Sequence, residues 1–202
     1  MSKETMYPVM ESFLTIQGEG YYQGHSAYFV RLAGCDVGCT WCDVKESWDK
    51  ENYPLYSATD IADKVKSSGV SLCVITGGEP LMYNLTALTA AIKDKGIKTH
   101  LETSGAWPLS GTWDWICVSP KRFKLPQTDV LQAADEYKVV IHHPNDIRFA
   151  ERYLQHIRPD CKRYLQPEWE KRGEIIPVIL DYLHLNSGWV LGIQAHKYVE
   201  VP

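Results

Sequence analysis

Short apolar segments alternate with amphipathic segments along most of the chain, and this alternation restricts the fold more than any other feature of the sequence. Such a pattern predicts β-α units around a mostly parallel sheet. The candidate strands are SAYFVRLAG, SLCVIT, IKTHLET, DWICVS, EYKVVI, KRYLQ and WVLGIQ. Because the 202 residues fall short of the roughly 250 of a complete (β/α)8 barrel, we predict an α/β fold: an incomplete, partly open (β/α) barrel of mostly parallel strands.

Helix start and stop signals lie between these strands. Ser57 precedes an apolar stripe and is followed three residues later by Asp60, which is the pattern of a capping box. Asn84 is expected to cap the next helix and Gly96 to end it. NDIRFAERYLQHI and EIIPVILDYLHLNSG are predicted as later helices. Pro177, in the second of these, is expected in the first helical turn, where proline is tolerated.

Composition and charge narrow the range of partners. With 45% hydrophobic and 23% charged residues, the chain has the composition of an ordinary globular protein. Its formal charge of -4 gives no general attraction for nucleic acid or an anionic membrane surface. The N-terminal residues include the charged Lys3 and Glu4 and lack the apolar region of a secretory signal peptide. No segment approaches the roughly 20 apolar residues needed to span a bilayer. We therefore expect a cytoplasmic protein with no nucleic-acid or membrane partner.

Three of the six cysteines lie within eight positions, at Cys35, Cys39 and Cys42. A reducing cytosol disfavours disulfides and favours metal or redox chemistry for clustered thiols. A structural zinc site normally has four protein ligands, whereas a [4Fe-4S] cluster uses one cysteine per iron, so three thiolates would leave one iron open. A zinc site completed by His25 or a distant cysteine is the alternative. The cysteines expected to be buried or without chemistry are Cys73, Cys117 and Cys161.

Polar or glycine-rich motifs follow the ends of most predicted strands. Because the carboxyl ends of parallel strands meet at one edge of a sheet, residues scattered along the chain are expected to converge there. In chain order these motifs are GCDVGCTWC, GGEP, TSG, SPK, QP and AHKY. We expect them to surround one cavity.

The cysteine spacing, with Trp41 directly before the third cysteine and GGEP at 77–80, resembles that of the radical S-adenosylmethionine enzymes. The resemblance implies a [4Fe-4S] cluster on the three cysteines, with S-adenosylmethionine on the open iron, cleaved after reduction to a 5'-deoxyadenosyl radical. The cofactor-binding residues that it implies are Gly77, Gly78, Glu79, Ser104, Ser119, Lys121 and Gln166. Without the resemblance, Ser104 could be a turn residue, Lys121 a solvated lysine and Gln166 a strand-end cap.

Further motifs narrow the resemblance to the 7-carboxy-7-deazaguanine synthase family, over nearly the whole chain. They are IQGEG, FVRLAGC, CDVKESW, TGGEP, LETSG, VSPK, LQP and GIQAHKY. The resemblance implies one radical S-adenosylmethionine domain over 1–202, with its cluster-binding loop at about 34–48. It also implies conversion of 6-carboxy-5,6,7,8-tetrahydropterin to 7-carboxy-7-deazaguanine with loss of ammonia, in queuosine and deazapurine biosynthesis. A homodimer and an electron-donor protein such as flavodoxin or ferredoxin are the implied partners.

Arg31 is the expected partner of the carboxylate of this pterin, because a guanidinium can bind a carboxylate bidentately. A salt bridge within the barrel is the alternative role for Arg31. Gln17 and Glu19 lie in a glycine-bracketed loop that is expected to be too exposed for the core, and they can bond the amino and amide edge of the pterin. The α-carboxylate of Pro202 is expected to accept hydrogen bonds from the guanidine-like edge. The other implied substrate positions are Ile16, Gly18, Thr76 and His196.

One position departs from the family pattern. The family usually has threonine or serine after the Cys-Asp pair, where the hydroxyl helps to bind Mg2+, and this chain has Val44. Since Mg2+ commonly keeps several waters, Asp43, a backbone carbonyl or the substrate can still hold it. We therefore retain Mg2+ as a predicted cofactor, with Asp43 as the candidate side-chain ligand.

Two other functions share part of this pattern. A glycyl-radical activase would share the cysteine loop and GGEP, but it acts on a protein and would not need IQGEG or Arg31. A zinc-binding interaction module would need neither GGEP nor a cavity large enough for a cofactor.

Overall fold

The computed structural model describes residues 4–202, and within this range nine strands form one sheet. The strands are β1 (Met6–Ile16), β2 (Ser26–Leu32), β3 (Leu55–Ser57), β4 (Leu72–Gly77), β5 (Lys98–Thr103), β6 (Trp115–Val118), β7 (Glu136–Ile141), β8 (Lys162–Pro167) and β9 (Val190–Leu191). Their spatial order is β3-β1-β2-β4-β5-β6-β7-β8-β9. Neighbours from β2 to β9 are parallel. The sheet does not close, so the predicted incomplete, partly open barrel is confirmed.

Two strands at one edge of the sheet were missed by the sequence interpretation. β1 pairs antiparallel with β2, from Val9 opposite Leu32 to Ile16 opposite Ser26, and with the short β3. Only the first part of β1 is buried, so its apolar pattern is weak. The predicted strand WVLGIQ was too long, because β9 contains only two residues.

Helices pack beside the sheet, between successive strands and, for the last helix, after β9. They are α1 (Ala58–Ser67), α2 (Thr86–Lys93), α3 (Thr128–Ala133), α4 (Asn145–Arg152), α5 (Arg172–Leu185) and α6 (Ala195–Tyr198). The capping box of Ser57 and Asp60 is confirmed at the start of α1. Asn84 lies one position before the cap residue of α2, and its side chain accepts the Thr86 N–H at 3.0 Å. No helix within residues 4–202 has the length and apolar content to cross a membrane.

The expected place of Pro177 in the first turn of its helix is wrong. α5 begins at Arg172, so Pro177 lies within the second turn. An interior proline leaves the carbonyl four residues earlier without its helical donor. That carbonyl belongs to Gly173, and both residues are exposed, so water can bond it.

The two faces of the sheet differ in chemistry, which determines where the site can form. Along β7, Tyr137, Val139 and Ile141 pack in the buried hydrophobic core. The alternate residues Lys138 and Val140 line a cavity on the other face. Because side chains alternate along a strand, one face of the barrel wall stabilises the fold while the other is free to carry polar groups.

Candidate active site

Two adjoining cavities lie on the inner face of the barrel. The first has a volume of about 240 Å³ and the second of about 170 Å³. The predicted strand-end motifs all contribute residues to the first cavity, together with residues from within β2 and β7. Both cavities are lined by Glu19, Arg31, Asp43, Val44, Thr76, Glu102 and Gln194. These shared residues make the two cavities neighbouring compartments of one site.

The loop after β2 places three thiols on the first cavity. Gly34, with a φ of 102°, donates its N–H to the Ser47 carbonyl at 2.6 Å. The next residue donates its N–H to the Trp48 carbonyl at 3.3 Å, so both ends of the loop are fixed. The cysteines that line the cavity are Cys35, Cys39 and Cys42.

The donor set fits a cluster better than a closed zinc site. Three thiols face a cavity with room beside them, which suits a cluster with one iron left open. His25 points elsewhere, because its Nδ1 lies 2.9 Å from the Tyr22 carbonyl and its ring packs on Tyr22. Among residues 4–202, no three His, Cys, Asp or Glu side chains could together hold a single metal ion. Burial raises the pKa of Cys39 to about 11, so metal binding there must release a proton.

The glycines of the GGEP motif allow two loops to pack closely. A Cβ on Gly77 would lie 2.5 Å from the Leu32 carbonyl oxygen, and one on Gly78 would lie 2.2 Å from that of Gly34. The loop after β4 is therefore held against the cysteine loop by backbone contacts that only glycine permits. Both glycines line the first cavity, as the cofactor prediction requires.

The Glu79 side chain forms hydrogen bonds to both of the loops that follow β4 and β5. Its carboxylate accepts hydrogen bonds from Leu81 N at 3.0 Å, Thr103 Oγ1 at 2.6 Å and Ser104 N at 2.8 Å, and also from Ser104 Oγ. Since the side chain is buried and accepts four bonds, it fixes the cavity wall. Direct binding of the cofactor by Glu79 stays a prediction.

The remaining predicted cofactor residues also line the first cavity: Ser104, Ser119, Lys121 and Gln166. The Lys121 amine donates to the Ser119 carbonyl at 2.5 Å and to Ser119 Oγ at 2.6 Å, so it is not a solvated surface lysine. Burial lowers the pKa of Lys121. Gln166 Oε1 is buried without a hydrogen-bond partner among the described residues. An unpaired buried oxygen facing a cavity is suited to accept a bond from a ligand.

All eight predicted substrate residues line the second cavity: Ile16, Gln17, Gly18, Glu19, Arg31, Thr76, His196 and Pro202. The expected exposure of their loop was wrong for Gln17, which is buried. Gln17 Nε2 donates to Glu102 Oε1 at 3.1 Å, and Gln17 Oε1 accepts the Glu19 N–H at 3.1 Å. The loop lies close to α6, because a Cβ on Gly18 would be 2.0 Å from His196 Nδ1.

Arg31 forms the ion pair considered for it and also lies where its predicted contact with a substrate would require. Its Nε lies 2.6 Å from Glu11 Oε1 in an ion pair on the β1–β2 hairpin. The same side chain lines both cavities. A guanidinium bonded through Nε still has its two terminal nitrogens for a bidentate carboxylate. The salt bridge therefore does not exclude the predicted contact with a substrate.

Two predicted ligands near the second cavity have partners of their own. The main-chain oxygen of Pro202 accepts a hydrogen bond from Thr15 Oγ1 at 2.9 Å, which ties Pro202 to β1. Asp43 Oδ2 lies 3.1 Å from Lys197 Nζ in an ion pair. Val44 lines both cavities beside it.

Several polar residues of the site were missed by the sequence interpretation: Glu102, Lys138, Glu168, Trp169 and Gln194. Glu102 lies at the end of β5 inside the quoted LETSG motif, so its position was a usable signal. Lys138 was included in an apolar strand, EYKVVI. A lysine that alternates with buried apolar residues indicates an inward-facing charge.

Comparison with known proteins identifies the family. The Radical SAM superfamily profile matches residues 30–150. A 7-carboxy-7-deazaguanine synthase of Flavobacterium psychrophilum is 45% identical over 202 residues, covering 100% of this chain and 96% of that protein. The protein of the same name from Synechocystis sp. is 44% identical, covering 96% of this chain and 93% of that protein.

A solved structure agrees with these sequence relatives. The crystal structure of QueE from Escherichia coli superposes with a TM-score of 0.82 at 32% identity, covering 95% of each chain. These matches span nearly the whole chain, which a zinc-binding module or an activase would not explain. The chain therefore belongs to the Radical SAM superfamily and, within it, to the 7-carboxy-7-deazaguanine synthase family.

Proposed function

We propose that this protein converts 6-carboxy-5,6,7,8-tetrahydropterin to 7-carboxy-7-deazaguanine with loss of ammonia, in queuosine and deazapurine biosynthesis. One observation carries the proposal: the predicted cofactor residues line one cavity, the predicted substrate residues line the next, and the two cavities share walls. A reaction between cofactor and substrate needs this contact. The full-length relatives named 7-carboxy-7-deazaguanine synthase support the same activity.

The cofactors follow from the donor set and the family. Cys35, Cys39 and Cys42 would hold a [4Fe-4S] cluster, and the adjoining wall would hold S-adenosylmethionine. When bound, these groups supply a one-electron cleavage that generates a radical. The residues of the chain orient the two ligands and limit the access of water. Iron-sulfur protein purified without oxygen should be brown and should bleach with dithionite, whereas a colourless zinc protein would contradict this assignment.

Assembly and partners are also proposed. An electron-donor protein such as flavodoxin or ferredoxin would reduce the cluster, and the reducing cytoplasm would keep its thiols available. The whole chain, 1–202, would act as one radical S-adenosylmethionine domain, with its cluster-binding loop at about 34–48. Relatives that match over the full length support the single domain, and a homodimer is what the family resemblance suggests.

Ammonia release provides a direct test. The reconstituted enzyme is incubated without oxygen with S-adenosylmethionine, dithionite and the carboxytetrahydropterin, and free ammonia is measured over time. We expect release that requires all three reagents. An activase or a zinc module would not deaminate a pterin. Ammonia release that does not depend on added pterin would contradict the proposal, and so would the absence of release from protein with full iron content.

Val44 should weaken the dependence of activity on Mg2+. Val44 lines both cavities beside Asp43, and its methyl groups cannot bind a cation. Val44→Thr adds a hydroxyl at this place and should lower the Mg2+ concentration for half-maximal activity by about tenfold. The measurement is a magnesium titration of turnover, with Val190→Thr on the exposed β9 as the matched control. Equal titrations of wild type and Val44→Thr would count against a Mg2+ site here.

Residues added after Pro202 should weaken binding of the pterin. Pro202 lines the second cavity and is held there by the bond from Thr15 Oγ1 to its main-chain oxygen. A terminal carboxylate has about four acceptor sites, so it could still accept two parallel N–H donors from the pterin. An extension replaces that carboxylate by an amide, and we expect the KM for the pterin to rise about tenfold, from one charge-assisted bond. The same residues added before Met1 serve as control, with iron content matched. Identical kinetics of the two proteins would show that the tail does not bind substrate.

A further inference from the structure

We propose that Lys138 is a positioning residue of the substrate cavity, which holds the carboxylates of Glu19 and Glu102 so that both can accept N–H donors of a reduced pterin. The inference rests on the proposed function, because that function supplies the class of substrate. It adds a residue from the middle of a barrel strand to a site otherwise built from loops and strand ends.

Lys138 joins two carboxylates that come from distant parts of the chain. Its Nζ lies 2.5 Å from Glu19 Oε2 and 2.9 Å from Glu102 Oε2. The lysine side chain is 4% exposed, whereas those of Glu19 and Glu102 are 18% and 19% exposed. Both carboxylates line both cavities. The ammonium group is therefore buried more deeply than the carboxylates and lines only the first cavity, whereas the carboxylates also face the second cavity, where the substrate would bind.

The other carboxylate oxygens are oriented by amide side chains. Glu19 Oε1 accepts a hydrogen bond from Gln194 Nε2 at 2.8 Å, and Glu102 Oε1 accepts one from Gln17 Nε2 at 3.1 Å. An ionised carboxylate has about four acceptor sites, so each group can still accept donors from a ligand. A tetrahydropterin offers such donors in its amino group and ring N–H groups. The carboxylates of Glu19 and Glu102 can therefore accept hydrogen bonds from these pterin N–H groups.

The charge balance also favours a ligand rich in N–H groups. One ammonium group faces two carboxylates, which leaves a surplus of negative charge inside the barrel. Glu136 is also buried nearby, but it accepts hydrogen bonds from Tyr21 N at 2.9 Å and Trp115 Nε1 at 3.3 Å instead of bonding Lys138. Burial raises the pKa of Glu136, which favours its neutral form. A buried negative surplus is stabilised by hydrogen-bond donors, which the substrate would provide.

Lys138 controls the ionisation of Glu19. Burial alone would raise the pKa of Glu19, but Lys138 opposes it and the pKa falls to about 2. A pKa lowered in this way keeps the ion pair intact until the pH falls towards that value. Without Lys138 the effect of burial remains, so Glu19 would take up a proton at a higher pH. The other titratable groups that face this pair are Glu136, Cys117, Lys121 and His196.

The neighbouring groups do not reproduce this pH dependence. Burial raises the pKa of Cys117 well above its usual range and lowers that of His196, so both are uncharged from about pH 7 to pH 8.5. Burial alone would lower the pKa of Lys138, yet the carboxylates around it, Glu102 and Glu19, hold it well above its usual range. The ion pair of Glu19 and Lys138 in the wild-type protein should therefore add little pH dependence to pterin binding in this interval.

The test compares Lys138→Met with wild type as reconstituted holoenzymes. At about pH 7, the KM for the carboxytetrahydropterin should rise about 10- to 100-fold, because one or two charge-assisted bonds are weakened. It should recover towards pH 8.5 as Glu19 ionises. The Kd for S-adenosylmethionine should change less than about twofold. Lys138→Arg should restore most of the affinity and the flat pH profile. Lys98→Met, an exposed lysine on β5, is the matched control and should behave as wild type.

A pterin KM that is unchanged in Lys138→Met, or one that rises without pH dependence alongside an equal loss of S-adenosylmethionine affinity, would overturn the inference. If Lys138→Met does not fold, Lys138→Gln is measured in the same way. It removes the charge but keeps a donor between the carboxylates, so its pterin KM should rise less than that expected for Lys138→Met and with the same pH dependence. Wild-type protein that fails to turn over the pterin would refute the proposed function. Active wild type with an unaffected Lys138 variant would refute only the role of Lys138.

Discussion

Replacing Cys39 by alanine should abolish the activity of the protein. Cys39 is buried and lies on the first cavity with Cys35 and Cys42. Removing one of three ligands leaves two, which cannot hold a four-iron cluster in one orientation. We expect the bound iron to fall to a small fraction and the cleavage of S-adenosylmethionine to fall by more than about 100-fold. Residues that only hydrogen-bond to a metal ligand typically cost about 10- to 100-fold when they are replaced, and Cys39 is itself a proposed ligand.

The measurement is iron content and S-adenosylmethionine cleavage after identical anaerobic reconstitution. Cys161→Ala is the matched control, because Cys161 is also buried but lies away from both cavities. This control should retain full iron and full cleavage. Normal iron content and cleavage in Cys39→Ala would mean that the cluster is bound elsewhere.

Replacing Arg31 by alanine should weaken pterin binding far more than cofactor cleavage. The guanidinium is the cation proposed for the carboxylate of the substrate, and a charge-assisted bond contributes about 1.5 to 3 kcal/mol. Because about 1.4 kcal/mol corresponds to a factor of ten, the KM for the pterin should rise by about 10- to 150-fold. Little stability should be lost, since the partner Glu11 is 43% exposed and surface ion pairs contribute little.

Two further variants separate binding from structure. Glu11→Gln breaks the ion pair but keeps the guanidinium, so its pterin KM should stay close to wild type. Arg31→Lys keeps the charge but loses the bidentate geometry and should give an intermediate KM. Arg31 has only a structural role in the barrel if Arg31→Ala lowers pterin binding and cofactor cleavage equally, or if Glu11→Gln has the same effect as Arg31→Ala.

The parallel part of the fold was predictable because its signals are local. β4 to β8 are short apolar segments, and each segment's pattern depends only on neighbouring residues. Once those strands are placed side by side, their terminal motifs must meet, which is why widely spaced residues such as Cys39, Gly78 and Gln166 line one cavity.

The rest depended on contacts between distant residues. β1 is half-exposed, so its pattern did not indicate a strand. Gln17 looked exposed in its glycine-bracketed loop, yet its amide bonds Glu102, which is 85 positions away. Glu19 is likewise fixed by Lys138, 119 positions along the chain. Local sequence cannot show that a loop will be covered by strands that follow so much later.

The most direct test of the account is the product of the reaction. Wild-type protein is reconstituted without oxygen, supplied with S-adenosylmethionine, dithionite and 6-carboxy-5,6,7,8-tetrahydropterin, and the small molecules are identified by mass spectrometry. The account predicts 7-carboxy-7-deazaguanine in wild-type samples and none in those of Cys39→Ala. If a fully iron-loaded wild type cleaves S-adenosylmethionine but leaves the pterin intact, the two cavities do not form the site described, and the proposed function is wrong.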